Sequence, residues 1–197
     1  MNSLRNLDHL IFNYLYHFFG QSHFRDQILI FLAIYLIYAL PVVLIMMWFW
    51  SIEIRKAALR VTFSGLLAWL VFCNLIGHFY FRERPFVAQA NIKEFVFHRP
   101  DYSFPSDHAA FLFALIFSFW FLGYRKIAGS IFILAIIISL ARIIIGIHYP
   151  TDIVFGIVIG LFSAVLIWLF RKPLDKVINL ILAIGKKMRL GWTLKKV

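Results

Sequence analysis

The sequence predicts an all-α, polytopic membrane bundle: five transmembrane helices, an N-terminal helix lying in the membrane interface, and a basic C-terminal tail helix. Three observations carry this expectation. Of the 197 residues, 62% are hydrophobic and 23 are phenylalanine, and the mean hydropathy is +0.85; a soluble domain of this length has no use for so much apolar surface. Several uncharged apolar runs are each long enough to cross a hydrocarbon core of about 30 Å. The formal net charge of +11 falls on one face once those runs are threaded through a bilayer.

The elements follow in order. The first twenty residues, MNSLRNLDHLIFNYLYHFFG, contain Asp8, His9 and His17 and lack a small-residue cleavage site. They read as an aromatic, amphipathic interfacial helix rather than a removable signal. The first span is expected over roughly residues 27–50, with Pro41 as a kink. The others are expected over roughly 57–79, 106–123, 127–147 and 150–170. The tail, RKPLDKVINLILAIGKKMRLGWTLKKV, has one apolar stretch too short to span. It reads either as a basic helix on the inner leaflet or as a plain solubilising tail. With no tandem repeat or low-complexity linker, the chain is one domain (1–197), with a core over 57–170 and a tail over 171–197. The single cysteine, Cys73, sits in an apolar run and reads as a small core residue.

On a soluble protein the positive charge would suggest nucleic acid. Here thirteen cations (Arg55, Lys56, Arg60, Arg125, Lys126 and those of the tail) face two acids, Glu53 and Asp175, on one side. The other side holds seven cations and seven acids and is neutral. The positive face is expected to be cytoplasmic, which puts the N-terminus outside the cytoplasm and the C-terminus inside. The expected setting is the cell membrane, with membrane lipids as neighbours and neither nucleic acid nor an obligatory protein partner.

This threading brings FRERPF (81–86), PSDH (105–108) and ARIIIGIHYPTD (141–152) to one extracytoplasmic interface. Arg142 lies six residues before His148, about 9 Å deeper on a helix. An arginine inside a span is costly unless paired, so it either serves a function or snorkels outward. Asp152, four residues after His148, either fixes the imidazole tautomer or is merely a helix N-terminal acid. Ser106 is a natural N-cap for a helix starting at Asp107, whose free N–H groups would form an anion site, with His108 at the same mouth. His108 then either donates a proton or simply faces headgroups. Arg84 offers a planar fork for phosphate oxygens, or binds headgroups, and Arg82 reads as a headgroup arginine more strongly still. Together these parts describe a phosphate site in which one histidine attacks and another protonates what leaves. His108 and His148 lack a convincing set of further ligands, so no metal and no cofactor is expected.

These residues resemble the membrane-bound type 2 phosphatidic acid phosphatase superfamily, which is marked by three motifs. The third, Arg, five residues, His, three residues, Asp, is present as Arg142, His148 and Asp152, with Ala141 in place of the usual serine. The second, usually Pro-Ser-Gly-His, appears as Pro105, Ser106, Asp107 and His108. The first keeps Arg84 and Pro85, while its lysine position holds Gly77. YFRERPF, FPSDHA and IHYPTD look like the bacitracin-resistance (BcrC-like) branch of undecaprenyl-diphosphate phosphatases.

The resemblance implies that His148 is the nucleophile of a phosphohistidine route, Asp152 its orienter and His108 the general acid. It implies that Arg84, Arg142 and Ser106 bind the phosphoryl group. Arg82 is a guess for the charge of the missing lysine, with His78 a weaker one. Asp107 is the odd piece: beside an anionic substrate it should repel unless protonated, turned away or bonded to an arginine such as Arg82 or Arg99. The substrate implied is a polyprenyl diphosphate lipid, undecaprenyl diphosphate, cleaved to the monophosphate so that the carrier is recycled for cell-wall synthesis and bacitracin sensitivity falls. Phosphatidylglycerol phosphate and phosphatidic acid are the alternative substrates. A small transporter is the alternative class, and it would place its polar groups near the bilayer midplane.

Overall fold

A computed structural model describes residues 2–92 and 102–187. Every regular element among the described residues is helical. Helix α1 (Asn2–Tyr16) leads into the long α2 (His23–Trp48) and α3 (Ile52–Phe79). A single turn, α4 (Pro85–Ala88), precedes α5 (Asp107–Phe121), α6 (Arg125–Ile144), α7 (Pro150–Leu169) and α8 (Arg171–Lys187). Arg99 lies outside the described residues, as do Arg189, Lys195 and Lys196 of the tail.

Four of these helices, α2, α3, α6 and α7, are long and apolar enough to cross a bilayer. The expected third span is α5, whose 15 residues rise about 22 Å, less than a full hydrocarbon core. Both of its ends have a local cause. Ser106 caps the start, its hydroxyl accepting the Ala109 N–H at 3.4 Å. Gly123, at φ +85°, stops the far end in a conformation that side chains resist. In α2 the irregularity falls just ahead of Pro41, as a π turn over Phe31–Tyr35 and a 3₁₀ turn over Leu36–Tyr38. The proline ring crowds the carbonyl four residues back and offers it no N–H, so the disturbance appears upstream.

Helix α5 sits at the centre of the bundle. Ala109, Ala110, Leu112, Phe113, Ala114, Leu115 and Phe119 are all buried, which covers most of its circumference. On one side α7 approaches it to backbone contact, because Gly156 and Gly160 present no side chain there. A Cβ on Gly156 would stand 2.7 Å from the Ser106 carbonyl oxygen, and one on Gly160 would stand 2.7 Å from the Ala114 nitrogen. Small residues four apart are the usual means of such an approach inside a membrane. The contact joins the start of α5, with Ser106 and His108, to the first turn of α7, with Asp152. Gly156→Val is therefore expected to lower stability by about 1–3 kcal/mol and to lose activity beyond that, since the backbone of Ser106 has to move. A thermal melt of the detergent-solubilised protein beside an assay of the phosphatase activity that the resemblance implies checks both.

At the opposite end, α8 is pinned to α3 by Arg60, which donates from Nε (2.9 Å) and Nη2 (2.6 Å) to Asp175 Oδ1. Ile178 and Leu182 bury the apolar face of α8. Helix α1 packs on the bundle through Asp8 and Phe12 and leaves Leu4, Leu7 and Leu10 exposed.

Candidate active site

The polar residues gather where α3 and α6 end and α5 and α7 begin. Gly146, at φ +84°, turns the chain out of α6: its N–H bonds the Ile143 carbonyl, and the Ile147 N–H bonds the Arg142 carbonyl, both at 3.0 Å. This is a glycine-closed C-terminus. Pro150, pre-set for a first helical position, then starts α7. His148 is caught between the two helices with 1% of its surface exposed.

The imidazole is oriented at both nitrogens. Nδ1 lies 2.9 Å from the Ser103 carbonyl oxygen, which can only accept, so Nδ1 carries the proton. Nε2 then presents a lone pair, facing Arg142 Nη2 at 3.2 Å and Arg84 Nη1 at 3.5 Å. Both guanidinium groups are buried. Burial first, and then the charges of Arg142 and Arg84, hold the His148 pKa well below the ordinary imidazole range. The neutral form of the ring, the form a nitrogen nucleophile requires, is therefore favoured.

Asp152, expected to orient His148 directly, has Oδ2 at 3.6 Å from Nδ1, too far for a hydrogen bond. It acts one residue removed. Its Oδ2 accepts from the Ser103 hydroxyl and from the Tyr149 N–H (2.8 Å), and Ser103 supplies the carbonyl that holds Nδ1. Ser103, fully buried, is a residue that sequence reasoning missed; a lone serine in a loop carries no periodic or spacing signal.

Helix α5 begins as expected, but its anion site is partly filled by its own side chains. Ser106 Oγ takes the Ala109 N–H, and Asp107 Oδ1 takes the His108 N–H at 2.8 Å. More of a bound anion's charge therefore falls to Arg84 and Arg142. The Ser106 N–H donates to the Asp152 carbonyl at 3.0 Å, tying the two helix starts together. Asp107 meets its neighbour: Oδ1 is 2.9 Å from His108 Nδ1, which leaves Nε2 of His108 for other work. Of the two arginines expected as its partner, Arg82 bonds Asp8, Thr151 and Asp152 instead, and Arg99 lies outside the described residues. Beside Asp107 and His108 opens a cleft of about 160 Å³ lined by Ile37, Tyr38, Pro41, Trp69 and Phe111. Apart from Asp107 and His108, its walls are the apolar and aromatic surfaces of α2, α3 and α5.

The empty lysine position also has a physical cause. The ring of Tyr102 lies against Gly77, where a Cβ would meet it at 2.4 Å, and the Tyr102 hydroxyl donates to Asn74 Oδ1 at 2.6 Å. Tyr102 occupies the space a lysine would need. Arg82 sits on the other side of His148, its Nη1 on Asp152 Oδ1 at 2.7 Å. Burial works against its charge, but Asp152 and Asp8 outweigh that and raise its pKa. Among the described residues, no group of three or more His, Cys, Asp or Glu side chains is placed to hold a metal ion.

The chain's residues 57–176 match the PAP2 superfamily. The chain belongs to that superfamily. The match runs from within α3 to the start of α8, a stretch that contains Arg84, His108, Arg142, His148 and Asp152. Undecaprenyl-diphosphatase BcrC of Bacillus subtilis is 32% identical over 169 residues, spanning 84% of this chain and 86% of its own length. A Bacillus licheniformis protein named bacitracin transport permease protein BcrC is 29% identical over 166 residues, spanning 83% of this chain and 79% of its own. The crystal structure of LpxE of Aquifex aeolicus has a similar fold, with a TM-score of 0.64 at 23% identity, over 82% of this chain and 94% of that one.

Proposed function

We propose that the protein hydrolyses undecaprenyl diphosphate to undecaprenyl phosphate and inorganic phosphate at the extracytoplasmic face of the membrane. The observation that carries this is His148 Nε2: an unprotonated nitrogen held between two buried guanidinium groups, next to a histidine at the mouth of an apolar cleft. In the first step Nε2 attacks the terminal phosphorus. The bond to the bridging oxygen breaks, and that oxygen leaves on undecaprenyl phosphate, taking a proton from His108 Nε2 as needed. Water then attacks the phosphohistidine, giving a proton to His108 and freeing phosphate. Arg84 and Arg142 meet the charge on the equatorial oxygens throughout. Asp107 aligns His108, and the polyprenyl chain lies in the cleft between α2, α3 and α5.

The named relative in B. subtilis supports the substrate. The orientation is supported by the charge at the other end, where Arg55, Lys56, Arg60, Arg125, Lys126 and α8 gather. Removing the diphosphate lipid also lowers bacitracin sensitivity and returns the carrier for cell-wall synthesis. The name of the B. licheniformis relative speaks of transport, but a transporter keeps its polar groups near the midplane, and here they sit at helix ends.

A substrate panel tests the proposal. Phosphate release from undecaprenyl diphosphate is expected to exceed that from phosphatidylglycerol phosphate or phosphatidic acid, and to persist in EDTA. A preference for phosphatidic acid sinks the substrate assignment, and loss of activity in EDTA restored by a divalent cation sinks the metal-free route.

A further inference from the structure

Arg82 faces away from the arginine side of His148, and one of the groups that hold it there, Asp8, comes from α1, outside the residues that match the superfamily. Nη2 of Arg82 donates to Asp8 Oδ2 at 2.6 Å, while Nη1 donates to Asp152 Oδ1 and to Thr151 Oγ1, both at 2.7 Å. The guanidinium carbon stands 3.9 Å over the centre of the Tyr149 ring, and Phe12 and His9 of α1 pack on that same ring at 5.1 and 5.0 Å between centroids. The backbone of Arg82 works in the same place. Its carbonyl accepts the Ser103 N–H at 2.7 Å, and Ser103 is the residue whose carbonyl holds Nδ1 of His148. One arginine therefore grips both groups behind the imidazole.

Asp8 is an expensive residue for an interfacial helix. It is 3% exposed, and a buried carboxylate is strongly destabilising unless its oxygens are well partnered. They are: Oδ1 accepts the Thr151 N–H at 2.9 Å, and Oδ2 accepts the Thr151 hydroxyl at 2.7 Å as well as Arg82. Lying on a membrane needs none of this, since Leu4, Leu7 and Leu10 already offer an apolar face, and Phe12 would suffice to dock the helix. The bonds go instead to the first turn of α7, the turn that carries Asp152.

We infer that α1 is a working part of the active site: Asp8 holds Arg82, and Arg82 holds Asp152 and Ser103 in position against Nδ1 of His148. Asp8 and Arg82 are positioning residues, touching neither substrate nor the attacking nitrogen. The inference rests on the reading of His148 as nucleophile given above. Without Asp8 the guanidinium is free to swing with Asp152; without Arg82 two buried carboxylates face each other, and the turn that aims His148 loosens.

The test is steady-state and single-turnover kinetics of the full chain in detergent, with farnesyl diphosphate as the probe and melting temperature as the folding readout. Asp8→Asn keeps the shape and the acceptor for Thr151 and loses the charge. It is expected to lower kcat about tenfold, and Asp8→Ala or Arg82→Ala about 100-fold, with KM within about twofold of the parent and Arg82→Lys recovering part of the loss. Phosphoenzyme formation in a single turnover should slow by the same factor. Parental kcat in Asp8→Asn and Asp8→Ala, with only the melting temperature lowered, overturns the inference. So does a raised KM with kcat intact in the Arg82 variants, which would mean that Arg82 binds substrate. If His148→Ala is inactive in the same series, such a result removes the clamp alone; if His148→Ala is active, both the clamp and the nucleophile assignment fall.

Discussion

His148→Ala is expected to cut phosphate release from undecaprenyl diphosphate by about 10⁴-fold or more, the loss typical when a covalent nucleophile is removed. The argument is geometric. Nε2 is the lone pair left exposed to Arg84 and Arg142 once the Ser103 carbonyl has fixed the proton on Nδ1. Burial and those two charges favour the neutral ring, so an attack by Nε2 would need no separate base. The variant keeps both arginines and therefore still binds a phosphoryl group. Its substrate affinity is expected to stay near that of the parent while turnover disappears. The parent should also trap a phosphoenzyme that is labile in acid and stable in alkali, the signature of a phosphorus–nitrogen bond, and the variant should not. Turnover by the variant at the parental rate would falsify the phosphohistidine route, whatever the substrate proves to be.

The sequence makes the front of this site legible and hides its back. Arg84, His108, Arg142 and His148 stand out because ionisable residues at the ends of apolar runs have few reasons to be there. Ser106 is readable as a cap because a serine before an apolar helix has a local job, and the structure places it there. The residues behind His148 have no such mark. Asp8 meets Thr151 across 143 positions, and Ser103 meets Asp152 across 49; no periodicity or spacing links partners brought together only by helix packing. Asp8 in particular reads as one polar residue on an amphipathic helix, and its burial appears only when α1 is laid against α7. Arg82 shows the same limit from the other direction. In the sequence it reads as a headgroup arginine or as a stand-in for the missing lysine, and the acids that bind it, Asp8 and Asp152, lie 74 and 70 positions away. For Asp107 the contact on view is a local one, to the His108 ring one residue on, and a pair of adjacent polar residues carries no spacing signal. The span count is a question of length. Apolar composition marks α5 as clearly as the others, but its cap at Ser106 and its glycine stop leave it 15 residues, and its central burial shows that the neighbouring helices surround it.

Arg142→Met is expected to lower kcat/KM by about 10²–10³-fold, the range for removing one preorganised donor to a developing charge. The side chain is 2% exposed in the last turn of α6, so its charge acts through protein and not through water, where it would count for far less. Its fork has two tasks at once: Nη1 donates to the Ala33 carbonyl at 3.1 Å in the π turn of α2, and Nη2 faces His148 Nε2. Methionine fills the volume and does neither. Lysine keeps the charge but is a single point, able to serve the Ala33 carbonyl or the phosphoryl oxygens and not both. Arg142→Lys is therefore expected to recover only part of the loss, and to leave a melting temperature closer to the parent than that of Arg142→Met. The rival account of an arginine in a span, snorkelling to lipid headgroups, predicts near-parental kinetics for both variants. Parallel kcat/KM and melting measurements separate the two accounts, because a guanidinium that bonds outward to lipid has no part in turnover, and one that carries phosphoryl charge beside His148 is expected to slow turnover when it is removed.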